Sequence, residues 1–129
     1  MDNHEANIKY RLERAEGSFE EAVFLAEKKR WNTVVNRLYY SCFYAVIALL
    51  LKSNIKATTH TGTRNQFGLY FIKTQKIDQK FGKLYTKLFD FRQKGDYGDM
   101  FDFTEEEVSP LIQKVPEFLS EIKKHIQVK

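Results

Sequence analysis

The stretch Trp31–Leu51, WNTVVNRLYYSCFYAVIALLL, carries apolar or aromatic side chains at nearly every position from Leu38 onward. One amphipathic stripe cannot hold so many, and a helix that is apolar all round must be enclosed by lipid or by other helices. The unbroken run falls short of the roughly 20 residues a bilayer requires. Ser41 interrupts it, and Asn36 and Arg37 stand just before it. The stretch therefore reads as a central core helix over about residues 32–52, with no membrane span. The remaining chain must wrap it, which implies an all-α fold: an up-and-down bundle of four to five helices in one domain over residues 1–129.

Composition agrees. The 129 residues are 43% hydrophobic and 15% aromatic, enough for a core, and two prolines and six glycines argue against a many-turned β fold. The single cysteine, Cys42, excludes an internal disulfide and lies in the apolar run, where a free thiol acts as a small hydrophobe. A reducing cytoplasm is the expected compartment. The N-terminus, charged from Asp2 onward, reads as no secretory signal. The net charge of +4 is unevenly spread. Lys52 to Lys94 holds ten cations against Asp78 and Asp90, whereas Asp96 to Glu107 holds six acids and no base. A basic zone of this kind attracts phosphates, and its bland alternative is a set of solvated helix faces.

Outward from the core helix, Ile8, Leu12, Ala15, Phe19, Ala22 and Ala26 mark one face of a first helix over about residues 3–29, continuous through Gly17 and Ser18. Lys28-Lys29-Arg30 closes it, and Asn32 is the expected cap of the core helix. On that helix Arg37, Tyr40, Ser41 and Tyr44 form a polar-tipped line, either satisfied internally or forming a groove wall or dimer contact. The hydroxyls of Thr58–Thr63 cap a third helix with an aromatic face of Phe67, Tyr70 and Phe71. His60 reads first as a cap or loop residue there, and no Cys or second His stands at metal-ligand spacing. The expectation is no metal and no cofactor.

A fourth helix from about Asp78 buries Phe81, Leu84, Tyr85, Leu88 and Phe91, and Arg92 continues that stripe. An unpaired buried guanidinium is costly, so Asp96 or Asp99 is the expected partner, with Gly95 ending the helix and the pair clasping the loop that follows. The loop from Gly95 to Phe103 alternates acids and aromatics without the spacing of a calcium loop. Thr104-x-x-Glu107 is a capping box opening a fifth helix, whose buried face is Val108, Leu111, Ile112, Val115, Leu119, Ile122 and Ile126, and which Pro110 and Pro116 should bend.

These pieces form a pattern. Leu12-Glu13-Arg14-Ala15, Asn36-Arg37-x-Tyr39-Tyr40-x-x-Phe43-x-Ala45, Thr59-His60-Thr61-Gly62, Arg92-x-x-x-Asp96-Tyr97 and Glu117-Phe118, in this order, resemble the small prokaryotic HEPN-domain proteins across nearly the whole chain. The resemblance implies a bundle of four or five helices that pairs as a homodimer. It also implies a setting in toxin–antitoxin systems, as an RNA-cleaving toxin that needs no metal, or as the partner of a minimal nucleotidyltransferase. The cleaving members carry Arg followed four to six residues on by His. Here Arg92 matches, but Tyr97, Gly98 and Asp99 occupy the His positions, so the chain resembles the branch with an Arg…Asp-Tyr signature.

That departure bears on chemistry. RNA cleavage without metal needs a base for the 2′-hydroxyl, an acid for the leaving oxygen and a cation for the phosphate. Arg92 supplies the cation. Tyr and Asp, with ordinary pKa values of roughly 10 and 4, suit the proton-transfer roles poorly, and Arg92 beside Asp96 would weaken Asp96 further as a base. The leading expectation is thus a dimeric, non-catalytic or weakly catalytic module that binds a nucleotidyltransferase and nucleotide or RNA phosphates through Arg92, Lys94 and Tyr97, with Arg37 and His60 as further candidates. In that reading Tyr97, on an exposed loop, is also a candidate for nucleotidylation by the partner; the alternatives are a metal-independent ribonuclease using Arg92, Asp96 and Tyr97, and a non-catalytic scaffold. His60 contributes only if the third helix brings it to Arg92.

Overall fold

A computed structural model describes residues 3–97 and 101–126, Tyr97 by its backbone alone. The chain forms α1 (Asn3–Glu27), α2 (Trp31–Lys52), α3 (His60–Phe67), a wide π-helical turn (Gly68–Ile72) continuing it, α4 (Gln79–Tyr97) and α5 (Glu105–Ile126). The all-α bundle expected from the core stretch is what forms. α2 touches each of the other four α-helices. By length and composition α2 could cross a bilayer, but Val34, Val35, Leu38, Tyr39, Ser41, Cys42, Ala45, Val46, Ala48, Leu49 and Leu50 are all buried by the surrounding helices.

α1 is one unbroken helix, with Ile8, Ala15, Ser18 and Ala22 buried against the bundle. Ala15 and Ala22 are fully enclosed; side chains this small let α1 lie close enough to α2 for the Ser41 hydroxyl to donate to the Ala15 carbonyl at 2.8 Å. The turn between them is tight. Lys29 adopts φ 58°, and Arg30 N–H donates to Leu25 O at 3.1 Å, the 6→1 bond of a Schellman motif. Asn54 (φ 59°), with Ile55 N–H on Leu50 O at 2.9 Å, ends α2 the same way.

Three local expectations are corrected. Asn32 does not cap α2, whose N-cap is Arg30 without a side-chain bond. Lying inside the first turn, Asn32 instead donates to Phe101 O and Asp102 Oδ1, both at 3.1 Å, and accepts from Phe103 N–H at 2.9 Å. Gly95 does not stop α4, which runs on to Tyr97. Gly95 serves a close approach, since a Cβ there would stand 3.3 Å from the Phe103 ring. Tyr70 leaves the aromatic face: the wide turn, closed by Lys73 N–H on Gly68 O at 2.8 Å, puts Phe71 in the core and leaves Leu69 and Tyr70 exposed. Phe89 and Phe118, outside the expected stripes, are buried.

The capping box forms, with Thr104 N–H on Glu107 Oε1 at 2.9 Å and Glu107 N–H on Thr104 Oγ1 at 3.4 Å. α5 runs through Pro110 and Pro116. Both prolines are exposed, so the carbonyls they deprive of a helical donor, those of Glu106 and Ile112, lie on the side of the helix that water can reach. Lys80–Glu117 at 3.0 Å ties α4 to α5, and Lys123–Glu16 ties α5 to α1.

Candidate functional site

Three helices meet at the phenol of Tyr39. The residue is buried on α2, and its hydroxyl lies 2.8 Å from Nδ1 of His60. His60 is the first residue of α3, placed there by the cap before it: Thr59 Oγ1 accepts from Gly62 N–H, and Thr59 O accepts from Thr63 Oγ1, each at 2.8 Å. Gly62 makes room for that cap, because a Cβ would come within 2.9 Å of Thr59 Oγ1. The imidazole packs on Phe43, with ring centroids 4.6 Å apart, and edge-on to Tyr40 at 5.8 Å.

From α4, Arg92 lays its guanidinium against the same aromatics, 5.2 Å from the Tyr39 centroid and 5.5 Å from that of Tyr40. These rings explain how a cation continues a buried stripe: their negative faces replace part of its hydration. Only 12% of the Arg92 side chain is exposed, and Nε stands 3.3 Å from Asp96 Oδ2 without an aligned hydrogen bond. The Arg92–Asp96 pair is therefore one turn of α4 bonded to itself. It does not clasp the following loop, because α4 continues past both residues. Asp99 lies outside the described residues.

The electrostatics follow from this packing. Burial, and then the Arg92 charge, lower the His60 pKa below its usual 6.5, so the ring is neutral at pH 7. Burial lifts Tyr39 to about 12. A phenol held protonated donates to Nδ1 and leaves the ring proton on Nε2. The alternative tautomer, with Nδ1–H donating to the phenol oxygen, frees the Nε2 lone pair as a base. Tyr39 Oη can take either role. Beneath it the Tyr85 hydroxyl, its ring stacked 6.0 Å from that of Tyr39, is buried without an aligned partner.

The other candidates lie apart. Arg37 lies 5.4 Å from the Tyr40 centroid and is held by Glu21 at 3.1 Å and by Asn36 Oδ1 at 2.7 Å. Lys94 leans over Phe91 at 6.0 Å on another face of α4. The Tyr97 backbone closes α4, so it stands on a helix end and not on a loop; its side chain lies outside the description. Among the described residues, no three His, Cys, Asp or Glu side chains are grouped to hold a metal ion. Tyr39, Phe43 and Arg64 were not singled out as site residues from sequence. Arg64 stacks 4.3 Å over Phe89 and stands four residues after His60 on α3, which is the signal that could have found it.

The cluster thus sets one neutral imidazole and one guanidinium against aromatic walls, on a bundle of helices. The chain belongs to the HEPN domain family, whose model matches residues 8–125. It is 38% identical over 127 residues to a UPF0332 protein of Thermotoga maritima, covering 98% of this chain and 96% of that one. Two proteins of Methanocaldococcus jannaschii are similar as well: one named "Putative toxin MJ0605", at 35% identity over 90% of this chain and 86% of the relative, and one named "Putative toxin MJ0142", at 34% over 89% and 78%.

Proposed function

We propose that this protein is the toxin component of a two-component toxin–antitoxin system, acting on RNA phosphates through Arg92 and His60. The single observation that carries this is their convergence on Tyr39, from α4 and α3. It supplies the imidazole missing from the positions after Arg92. The names of the two archaeal relatives support the toxin setting.

In the cleavage reaction the phosphate displaces Asp96 from Arg92, whose guanidinium takes the charge of the crowded phosphorane. Nε2 of His60, freed by the tautomer in which Nδ1–H donates to Tyr39, removes the proton of the 2′-hydroxyl. The 2′-oxygen attacks phosphorus, the 5′-oxygen departs with a proton from the imidazolium or from water, and a 2′,3′-cyclic phosphate remains. Asp96 holds Arg92 in place in the free protein and is no base.

The chain acts as a homodimer, its two clusters facing one another across the axis to form one groove. Its partner is a minimal nucleotidyltransferase, which restrains it, and Tyr97 at the end of α4 is the residue such a partner would modify. Both statements extend the family resemblance to this chain.

The test is cleavage of a labelled single-stranded RNA in EDTA by wild type, Arg92→Ala and His60→Ala. Cleavage lost in both variants supports the reading. A folded wild type that binds RNA through Arg92 without cutting it favours the second reading, a non-catalytic binding module. The observation on that side is the ion pair by which Asp96 occupies Arg92.

A further inference from the structure

A groove of about 590 Å³ runs between α3 with its π-helical turn and α4, outside the Arg92–His60 cluster. Its α4 wall carries Lys83, Lys87, Asp90 and Lys94, at spacings of four, three and four residues, so all four lie on one face. Its α3 wall carries Arg64 and Gly68. Four cations face one carboxylate. The floor is aromatic: buried Phe67 and Tyr85, and half-buried Phe91, 4.8 Å from the Phe103 ring. Gly68 has room for a side chain at the groove wall. A Cβ there would meet nothing within 4 Å, and its backbone is ordinary right-handed helix at φ −61°, ψ −45°.

The groove and the cluster share a helix face. His60, Arg64 and Gly68 follow at intervals of four on α3 and its continuation, so a chain leaving His60 along this face passes Arg64 and enters the groove. Arg64, stacked on Phe89, also places its charge near the hydroxyl of Tyr39, the phenol that holds His60.

We infer that the α3–α4 groove is a binding track for single-stranded RNA next to the Arg92–His60 cluster, gripping the backbone through Arg64, Lys83, Lys87 and Lys94 and stacking a base on Phe91. The inference rests on the reading that the cluster acts on RNA. A cationic wall over an aromatic floor suits single strands because every base has a stacking face and every phosphate a charge. An acidic protein segment would use the cations and leave the aromatic floor without a purpose.

The experiment measures two substrates on the intact chain. Binding of a fluorescein-labelled oligouridylate 12-mer is read by anisotropy across a salt series, and cleavage of a trinucleotide, too short to fill the groove, is read by chromatography. Four phosphate contacts give log K against log salt a slope of about −3 for a single strand. Lys83→Gln/Lys87→Gln, two exposed side chains whose loss leaves the core intact, should bring the slope to about −1.5 and weaken 12-mer binding at least tenfold. Gly68→Trp fills the groove without changing charge and should also weaken the 12-mer at least tenfold. Neither change should alter trinucleotide turnover.

If wild type cleaves RNA and both variants bind the 12-mer as wild type does, the track is overturned and the toxin reading stands. If wild type binds the 12-mer through the groove but cleaves nothing, the track stands and the cleavage reading falls. If wild type neither binds nor cleaves, both fall. If the variants keep RNA binding and lose inhibition by the nucleotidyltransferase, the groove is a protein-docking surface and the track is overturned.

Discussion

α2 carries two polar seams that differ in how completely they are closed. Toward α1, Ser41 donates to Ala15 O, Arg37 reaches Glu21 and Asn36, and Tyr44 accepts from Arg14 at 3.2 Å. Every tip of that seam has a partner of matching chemistry. Toward α3 and α4, Tyr39, Tyr40 and Phe43 receive His60 and Arg92, and matching stops short: neither Arg92 Nε, which has an ion pair, nor the Tyr85 hydroxyl below makes an aligned hydrogen bond among the described residues. Tyr40 is common to the two seams, with the guanidiniums of Arg37 and Arg92 both within 5.5 Å of its centroid. A seam whose groups satisfy each other holds helices together. A seam with capacity left over, a cation and a neutral imidazole in it, is the one on which the proposed function rests.

The largest effect that would sharpen this contrast is Arg92→Ala, expected to lower RNA cleavage by about 10²–10³-fold, while Arg37→Ala, on the closed seam, leaves turnover within about twofold. Equal losses from the two would erase the distinction. Next is stability on the closed side. Ala15→Leu forces a branched side chain between helices in contact and should cost about 1–3 kcal/mol, read as a fall in the urea midpoint.

Tyr39→Phe removes the hydroxyl that holds His60 and should cost about 1 kcal/mol. Its turnover should fall further than its stability, since the ring loses its orientation. Asp96→Asn separates the two roles of that carboxylate: tighter RNA binding with cleavage retained marks it as the anion that keeps Arg92 in place, whereas abolished cleavage would make it the base.

The smallest effect is in pH. A histidine whose folded pKa is depressed binds its proton more readily when unfolded. It therefore adds stability that is complete above pH 6.5 and is lost as pH falls through the lower folded value. Wild type should lose stability over that window faster than His60→Asn, as chemical denaturation at a series of pH values would report; parallel curves would mean that His60 is not held neutral.

Much of this was legible in the chain. All-round apolarity over Leu38–Leu51 dictated a central helix, and period-3.6 stripes dictated its neighbours. Thr59 and Thr104 announced the starts of α3 and α5 through capping chemistry that is local in sequence. What could not be read was tertiary. Nothing in the spacing of His60 and Arg92, 32 residues apart, states that both rest on Tyr39, because contact between helices depends on crossing geometry. Asn32 looked like a cap since its side chain suits one; a connection some 70 residues away claimed it. Gly95 looked like a helix end, yet its missing side chain admits the Phe103 ring.

Tyr39, His60 and Arg92 also occupy an order along the chain. The α1–α2 hairpin closes on neighbouring residues through a three-residue turn, and nothing downstream is needed to begin it. The cluster is different: a growing polypeptide that has reached α3 has the imidazole and its phenol but not the guanidinium. The Asn32 bonds to residues 101–103, which fasten the exit of α4 to the entry of α2, come later still. During synthesis the phenol, the imidazole and the guanidinium therefore come together only after α4 has emerged, so the cluster is assembled late in the making of the chain.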